Sequence, residues 1–441
     1  MFKKSKVCLG VIAAIGFAGA VHAQQQLERV EITGTSIKRV AAENAVPVQT
    51  FTRKEIEKSG VTTVADFMQQ LPVMQGFTVA ADSVGGGGGG QTSASIHDVG
   101  EQYTLVLLNG RRVAPAGAGT TIDLNTIPLA AIDRIEVLTD GASALYGADA
   151  IAGVVNFILK KGEAPFKIDA RYTQPQESGG KSQNFSISKG FGDVDKDGYS
   201  VFGTLSFDKR EQLKASQRDF AKTGIIWFKD EQGRELRFFN GSSRGIPPNI
   251  NVSFRDGRSN RTFNPNLEKT GSCAPDHAEV NFRFGPECWF DYTSTVEIAP
   301  EEERAAFFGT GQLKLGEDQR LFAEVALTDA SILAPYPADF AMSTANPLFA
   351  KYVAPHMTAD EIANIRNVVA NYRLYELGNR AYDYGVKATH LVGGYEGLVA
   401  GWDVTANLTL SKQKQEQDYV GGFPLADPFF AAFESGSFDP F

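Results

Sequence analysis

The feature that most restricts the fold is an alternation of apolar and polar residues in the second half of the chain. In RLFAEVALT (320–328) and WDVTANLTLS (402–411), every second residue is apolar and most of those between are polar. Successive side chains of a β-strand point to opposite faces, so a period of two predicts strands with one apolar and one polar face.

Seven such strands are predicted, near residues 165–173, 182–191, 198–210, 304–315, 319–330, 380–392 and 398–412. The links between them are either short (GDVDKDG, GED and GGYEG) or long (211–303 and 331–379). Outer-membrane barrels combine a lipid-facing apolar surface, a polar interior, short periplasmic turns and long outer loops. A soluble sandwich also alternates, but its strands are usually shorter. The pattern therefore predicts an antiparallel transmembrane β-barrel.

The lipid-facing side of each strand is predicted from its apolar residues. On the strand near 380–392, this rule selects Tyr382, Tyr384, Val386 and Ala388. Asp383 and Lys387 would then face the wet interior.

The first 23 residues are predicted to be a cleaved signal peptide. MFKKSK is basic, VCLGVIAAIGFAGA is apolar, and VHA supplies small residues before a cleavage point after Ala23. The alternative is an N-terminal membrane anchor, for which the apolar run is short compared with the ~20 residues of a spanning helix. No later stretch of ~18 uncharged apolar residues exists.

Residues 45–162 follow a different pattern, in which short helices and strands are mixed. Thr52 and Glu55 form a capping box, and TTVADFMQQLP has apolar residues at helical spacing. YTLVLL is a buried strand, and Asn109-Gly110 after it predicts a hairpin. We therefore expect a compact α+β domain at 45–162, followed by barrel strands in 163–441.

Charge and cysteine content exclude some partners and suggest one crosslink. The formal net charge of −9 argues against a nucleic-acid partner. Cys8 leaves with the signal peptide, and the remaining Cys273 and Cys288 suggest one disulfide in an exported chain. Two free buried thiols are the alternative.

Four segments occur in a characteristic order: ERVEITGT (28–35), VPVQTFTRKEIEKSG (46–60), TLVLLNGRRVAP (104–115) and IDRIEVLTDGASALYGADAIAGVVNFILKK (132–161). They resemble the TonB box, plug entry, plug hairpin and plug exit of TonB-dependent outer-membrane receptors. The resemblance covers residues 1–412 and implies a plug domain inside a barrel of about 22 strands. It also implies that TonB, energised by its inner-membrane complex, pulls on the plug to admit a scarce ligand. An iron complex, cobalamin or an oligosaccharide would fit that role.

The predicted TonB contact lies in the polar segment 24–44, which we expect to be flexible. It consists of Glu28, Arg29, Val30, Glu31, Ile32, Thr33 and Gly34. A short β-forming segment of this kind can add as a strand to the edge of a partner's sheet. Alternatively, it is the first strand of the plug sheet.

The glycine-rich stretch VGGGGGGQTSAS (84–95) is predicted to be a plug loop that faces the ligand. It lacks the Lys-Ser/Thr pair of a phosphate-binding loop. The candidate ligand contacts are Gly85, Gly90, Gln91 and His97. The family usually has Arg-Gly where His97 and Asp98 stand, so the usual plug-to-barrel contact is in question here. The alternative for His97 is a surface residue without a ligand contact.

Other signals are weaker. DVDKDG (193–198) begins like a calcium loop, but position 12 is Thr204 rather than an acid, so a polar turn explains it equally well. The arginine-rich stretch 235–263 could meet an anionic ligand or lipopolysaccharide, or be a solvated loop.

The histidines are scattered along the sequence and form no recognisable metal-binding or catalytic group. We expect no enzyme activity, no metal and no cofactor, which leaves a secreted calcium-dependent hydrolase without support.

The expected function is TonB-dependent uptake across the outer membrane of a Gram-negative cell. A ligand-sensing or adhesion receptor without transport is the alternative, and a sensor would carry an extra domain before the TonB box.

Closed bacterial barrels have an even number of strands. Seven strands, with 413–441 as an outer loop, therefore suggest a truncated receptor that does not transport alone.

Overall fold

The computed structural model describes residues 48–79, 88–116, 119–139, 142–282, 284–336, 340–342, 344–374 and 376–441. The predicted signal peptide, the predicted TonB contact and Gly85 lie outside these ranges. Within them, no helix has the length and apolar character needed to cross a membrane.

The helices are short, and strands account for far more of the described residues than helices do. The α-helices are α1 (Arg53–Ser59), α2 (Val64–Gln69), α3 (Ser143–Tyr146), α4 (Pro265–Thr270), α5 (Ala359–Ala363) and α6 (Ala426–Glu434). The strands are β1 (Val48–Thr52), β2 (Met74–Thr78), β3 (Ser93–Ile96), β4 (Thr104–Leu108), β5 (Arg111–Arg112), β6 (Ile132–Leu138), β7 (Gly153–Leu159), β8 (Lys167–Thr173), β9 (Ser182–Phe191), β10 (Tyr199–Arg210), β11 (Leu213–Lys214), β12 (Ile225–Lys229), β13 (Glu235–Phe239), β14 (Asn249–Phe254), β15 (Arg261–Phe263), β16 (His277–Phe282), β17 (Gly285–Phe290), β18 (Glu297–Ala299), β19 (Glu301–Gly316), β20 (Gln319–Tyr336), β21 (Phe340–Met342), β22 (Ile365–Asn371), β23 (Arg380–Val399) and β24 (Trp402–Gly421).

The N-terminal part is an α+β plug built on a five-stranded sheet in the order β1-β6-β7-β4-β5. Every residue of β4 is buried because both faces of the sheet are covered. Asn109 and Gly110 have φ values of 48° and 75°, which fits the two-residue turn predicted between β4 and β5.

Helices α1 and α2 cover one side of this sheet. The capping box of Thr52 and Glu55 begins α1, and Gly60 ends it in the left-handed region. Ile56 of α1, with Phe67 and Met68 of α2, is buried against the sheet. The capping box therefore predicted α1 correctly, and the spacing of the apolar residues predicted α2.

A second sheet, here called the wall, contains seven antiparallel strands in the order β24-β23-β20-β19-β10-β9-β8. Its turn end carries the short links 192–198, 317–318 and 400–401, and its loop end carries the long ones. Phe202, Phe308 and Ala326 on one face join the hydrophobic core of the plug. This face is the inner one, and the plug packs directly against it.

The outer face of the wall is apolar near the turn end and charged near the loop end. Exposed apolar side chains on it include Val201, Leu205, Phe207, Leu313, Leu327, Leu391, Leu408 and Leu410. Closer to the loop end, Lys387 pairs with Asp329 at 3.7 Å and Lys414 pairs with Glu416. An apolar band beside a charged rim is the exterior expected of a membrane-spanning barrel strand.

The structure corrects two details of the predicted strands. GGYEG (393–397) is not a turn, because β23 runs through it to Val399 and the chain reverses at Ala400-Gly401. Strand β24 then continues to Gly421, so the outer loop does not begin at residue 413. The alternation weakens at Gly393-Gly394, which hid the strand from a pattern-based prediction.

The predicted orientation of β23 was wrong in its loop-end half. Tyr384 and Val386 are buried on the inner face, while Lys387 is exposed on the outer face. The outer face of this half of the strand belongs to the charged rim, and its inner face lies against the plug. Apolar residues are therefore buried inward there.

The long connections fold together into a compact lobe at the loop end. A four-stranded sheet in the order β15-β14-β22-β21 combines both connections, because Val252 of β14 pairs with Val368 of β22. Phe433 of α6 packs into the same core, so the C-terminal segment belongs to the lobe. Cys273 and Cys288 form a disulfide within it, with their Cα atoms 5.5 Å apart.

Candidate functional site

The candidate site is the seam between the plug and the inner face of the wall. Several single hydrogen bonds link the two bodies through plug backbone atoms. Thr328 and Thr310 donate to the carbonyls of Thr126 and Lys160, at 2.8 and 3.2 Å. The amide of Ala114 donates to Ser411 Oγ at 2.8 Å. Water can replace such bonds at small net cost, so they hold the plug without fixing it permanently.

One ion pair crosses the seam at the plug hairpin. Arg111 Nη1 lies 3.1 Å from Glu324 Oε1, and both side chains are largely buried. The guanidinium group of Arg111 also lies 4.7 Å from the centre of the Phe322 ring. The Asn109-Gly110 turn places Arg111 at this point, so the hairpin motif positions a charged contact.

A second charged cluster surrounds Arg304, which is 1% exposed. Its guanidinium group donates to Asp208 Oδ2 at 2.8 Å and to the backbone carbonyl of Asn125 at 3.2 Å. Asp208 belongs to the wall and Asn125 to the plug, so Arg304 joins the two bodies. Within the described residues, Oε1 of the neighbouring Glu302 is buried without a hydrogen-bond partner.

Asp123 is the plug residue at the centre of this cluster. Its Oδ1 accepts hydrogen bonds from the amides of Thr92 and Asn125, each at 3.0 Å. Burial raises the pKa of Asp123 to about 6, and the nearby Glu302 acts in the same direction. Asp123 therefore changes charge within a physiological pH range at a point where plug and wall meet.

The plug exit is held by a separate ion pair. Arg112 and Asp149 make a two-bond contact, with Arg112 Nη2 at 2.9 Å from Asp149 Oδ1. The hydrogen bond from Arg112 keeps the pKa of Asp149 below its usual value. The contact joins β5 to the segment after α3. The chain that leads into β7 is therefore held against the hairpin.

Residues 89–91, in the described part of the predicted plug loop, touch the wall at its loop end. Gln91 Nε2 donates to Gln415 Oε1 at 2.9 Å, and Gln415 donates to the carbonyl of Gly89. At Gly90 an added Cβ would lie 2.7 Å from Cβ of Tyr384, so a side chain would not fit. The glycine allows this close approach.

The structure separates the predicted ligand contacts. Gly90 and Gln91 lie at the wall, whereas His97 is exposed at the opposite end of β3 with φ of 52°. The Arg304 cluster, Tyr384 and Gln415 were not predicted. Their partners are distant in sequence, so no local pattern indicated them.

Two cavities adjoin the seam. One of about 300 Å³ lies between α1 and the first wall strands, and is lined by Arg53, Glu57, Lys167, Asp169 and Arg171 among others. The other, of about 30 Å³, is lined by His390, and in the described part of the chain neither ring nitrogen of His390 has a hydrogen-bond partner. It has room for about one water molecule.

The weaker sequence signals have ordinary structural roles. Asp193 caps the turn between β9 and β10 by accepting from the amides of Asp195 and Lys196. In the stretch 235–263, Arg258 pairs with Asp256 and Asp360. Across the described ranges, no group of three or more His, Cys, Asp or Glu residues is arranged to hold a metal ion.

Comparison with known proteins gives consistent results. The sequence model described as TonB-dependent Receptor Plug Domain matches residues 40–154. An iron-regulated outer membrane virulence protein of Vibrio cholerae is 32% identical over 169 residues, covering 36% of this chain and 24% of that protein. The vitamin B12 transporter BtuB of Vibrio cholerae is 28% identical over 206 residues, covering 47% and 30%.

The crystal structure of the siderophore receptor PirA from Acinetobacter baumannii aligns with a TM-score of 0.42 at 16% identity, covering 86% of this chain and 46% of that one. The chain spans less than a third of the length of the two curated relatives. Their names describe a transporter and an outer-membrane protein rather than enzymes.

Proposed function

Because residues 40–154 carry the plug domain of TonB-dependent receptors, we propose that the chain acts in TonB-dependent, energy-coupled uptake of a scarce ligand across the outer membrane. The exposed apolar band on the wall supports contact with outer-membrane lipid. An iron complex, cobalamin or an oligosaccharide is the proposed type of ligand.

The proposal rests on how weakly the plug is held against the wall compared with how firmly the wall strands are joined to one another. The plug has its own sheet and core, and it meets the wall through single hydrogen bonds, a few ion pairs and a small apolar contact. An applied force can therefore shift the plug without breaking the wall, whose strands are joined by continuous backbone ladders. A transporter that opens by plug movement needs this difference in strength.

TonB is proposed to bind at residues 28–34 by adding this segment as a strand to its own sheet. Such binding depends on backbone amides, so proline at Ile32 should abolish it by removing one donor. Proline at Ala42, in the same polar segment but outside the contact, is the matched control.

The first test is capture of the purified periplasmic domain of TonB by the full chain in detergent. We expect capture by the unmodified chain and by Ala42→Pro, and at least a tenfold loss with Ile32→Pro. Equal capture by both proline variants, or none by the unmodified chain, would refute the proposed TonB contact.

The second test measures uptake in cells with and without TonB. Ferric enterobactin, cyanocobalamin and maltoheptaose, each radiolabelled, represent the three ligand types. A receptor that contains this chain should accumulate one of them only when TonB is present. Surface binding without accumulation would instead support a sensing or adhesion receptor.

A further inference from the structure

Three lysines share the outer face of the wall at the point where its apolar band ends. Lys387 of β23 and Lys414 of β24 are directly paired, and Lys412 lies two residues from Lys414 on the same strand. Paired residues, and alternate residues of one strand, lie on the same face of a sheet. All three side chains are exposed. Lys387, Lys412 and Lys414 are called the outer lysine cluster below.

The cluster brings like charges together. Two cations directly opposite each other on neighbouring strands destabilise a sheet unless a counter-charge lies over them. Asp329 lies 3.7 Å from Lys387, and Glu416 pairs with Lys414. Among the described residues, no ion pair involves Lys412. Both pairs are exposed, so water screens them and the cluster keeps a positive field toward its surroundings.

The other acids of this face lie further toward the loop end. Asp383 and Asp418 are paired on the outer face of β23 and β24, four residues beyond the lysine pair. Four residues of a strand span ~14 Å. That separation exceeds the ~8 Å over which charges are screened at physiological ionic strength. These two acids therefore do not neutralise the outer lysine cluster.

On its other side, toward the turn end, the cluster adjoins an apolar surface. Leu391 is paired with Leu410, and both are exposed on the outer face, as is Leu408 two residues further along β24. Leu410 is separated from Lys412 by ~7 Å along the strand. A molecule that covers both surfaces must be amphiphilic, with apolar chains at the leucines and an anionic headgroup at the lysines.

Strand geometry places the cluster at the edge of the membrane. Trp402 begins β24 at the turn end with its side chain exposed on the outer face, and Lys412 lies ten residues later. Ten residues span ~34 Å along a strand, which a tilt of about 40° reduces to ~26 Å across the bilayer. Membrane barrels carry an apolar band ~25 Å tall between aromatic girdles. With Trp402 at one interface, Lys412 lies at the other, on the side of the long loops.

Lysine side chains at this depth suit a phosphorylated lipid. Their stems lie along apolar surface while the ammonium groups reach the headgroups. An ammonium group has three donors, and bonds between such cations and phosphate are among the stronger hydrogen bonds. Basic clusters beside a membrane-spanning segment bind anionic lipid. A soluble anion would satisfy the lysines but leave the leucines uncovered.

We propose that the outer lysine cluster binds the phosphate groups of lipid A, the phosphorylated lipid part of lipopolysaccharide, with its acyl chains against Leu391, Leu408 and Leu410. The site lies outside the wall, away from the seam, and takes no part in ligand recognition or in TonB contact. The inference therefore goes beyond the proposed function and shares with it only the contact between the wall and outer-membrane lipid.

The test is titration of the full chain in detergent with diphosphorylated lipid A, with bound lipid counted by native mass spectrometry. We expect one lipid A molecule to bind, and the combined variant Lys387→Gln, Lys412→Gln and Lys414→Gln to bind it at least tenfold more weakly. Lipid A without phosphates and phosphatidylglycerol should also bind the unmodified chain at least tenfold more weakly. The three side chains are exposed, so the variant should fold, which circular dichroism checks.

A second triple variant is the matched control. Lys189→Gln, Lys196→Gln and Lys314→Gln together remove the same charge from the turn end of the wall. This variant should bind lipid A like the unmodified chain, because its substitutions lie at the opposite interface.

Equal weakening in the two triple variants would overturn the inference, since it would show that charge acts from any position. Absence of lipid A binding would overturn it as well. Equal binding of lipid A without phosphates would reduce the site to apolar contact, and equal binding of phosphatidylglycerol would assign the cluster to another lipid. Either result would contradict the proposal.

Capture of TonB by the cluster variant is measured separately and should be unchanged. Lipid A binding without capture would contradict the proposed uptake but leave the lipid site intact. Capture without lipid A binding would contradict only the lipid site.

Discussion

At the scale of single residues, charge is concentrated where plug and wall meet. Arg304 and Asp123 come from different bodies and are each almost completely buried. Neither could be identified from the sequence, because a buried charged cluster built from distant segments leaves no local spacing to recognise. The polar character of the inner face was predictable, but the partner of each residue was not.

Asp123 makes the stability of the seam depend on pH. Its pKa is raised by burial from 3.8 to about 6, so its stabilising contribution is complete below about pH 4 and is lost as the pH rises through 6. Asp123→Asn keeps the acceptor for Thr92 and Asn125 but cannot ionise. We expect this variant to be more stable than the unmodified chain at pH 7.5, by about 1–3 kcal/mol.

The measurement is thermal unfolding in detergent between pH 4 and 8. The difference between the two chains should grow as the pH rises from about 4 to 6 and level off above that. A constant difference over that range would show that Asp123 does not titrate there.

Arg304 should be among the least replaceable residues of the seam. Removing this buried guanidinium group leaves the partly buried carboxylate of Asp208 without its cation, and breaking a buried pair typically costs about 3–5 kcal/mol. Arg258→Ala breaks an exposed pair of the lobe and should lower the stability far less, because water screens such pairs. Denaturant unfolding of both variants tests this, and a similar small loss for both would mean that the cluster does not stabilise the seam.

At the scale of secondary structure, periodicity predicted which elements exist better than where they end. The count of wall strands was correct, because two-faced strands alternate over many residues. The predicted orientation of β23 was wrong, because its apolar residues face the plug rather than lipid. An alternating pattern identifies two faces, but the surroundings decide which one is buried.

Strand β7 depends on a glycine at its first residue. Gly153 has φ of 144°, and an added Cβ would lie 2.2 Å from the carbonyl oxygen of Leu138. Gly153→Ala should therefore force β6 and β7 apart and cost more than about 3 kcal/mol. Gly162→Ala is the control, since its φ is also positive at 76° but nothing lies within 4 Å.

The control substitution should cost only about 1–2 kcal/mol, because it carries backbone strain without a collision. Melting temperatures followed by circular dichroism compare the two variants. Equal losses would indicate that backbone conformation, and not the contact with Leu138, requires the glycine.

The disulfide should stabilise the lobe alone. Cys273 and Cys288 are 15 residues apart, and closing a loop of that length contributes about 3 kcal/mol. Replacing both by Ala should expose amides of β16 and β17 to hydrogen exchange. Exchange in β4 and β7 should not change, and faster exchange there would show that lobe and plug unfold together.

At the scale of the whole molecule, the plug and the wall are two bodies joined by a weak seam. Ala114 and Ser411 are in hydrogen-bond contact across it, so a cysteine at each position should form a crosslink. If the plug moves during uptake, that crosslink should stop accumulation of the ligand while surface binding persists. Reduction should restore accumulation.

A crosslink within the wall is the control. Ser331 and Gly385 are paired on neighbouring strands, so a disulfide between cysteines at these positions leaves the plug free. It should not affect uptake, and uptake that survives the Ala114–Ser411 crosslink would show that the plug stays in place during transport.

The pairing of β14 with β22 has a consequence for the order in which the molecule can assemble. These strands belong to different connections, so the lobe cannot close until residues 365–371 have been synthesised and exported. Until then Ile250, Val252 and Phe263 lack the neighbours that bury them. Long-range pairings form slowly and leave apolar surface open to aggregation. We therefore expect the interval between export of β14 and arrival of β22 to be when the nascent chain most depends on periplasmic chaperones.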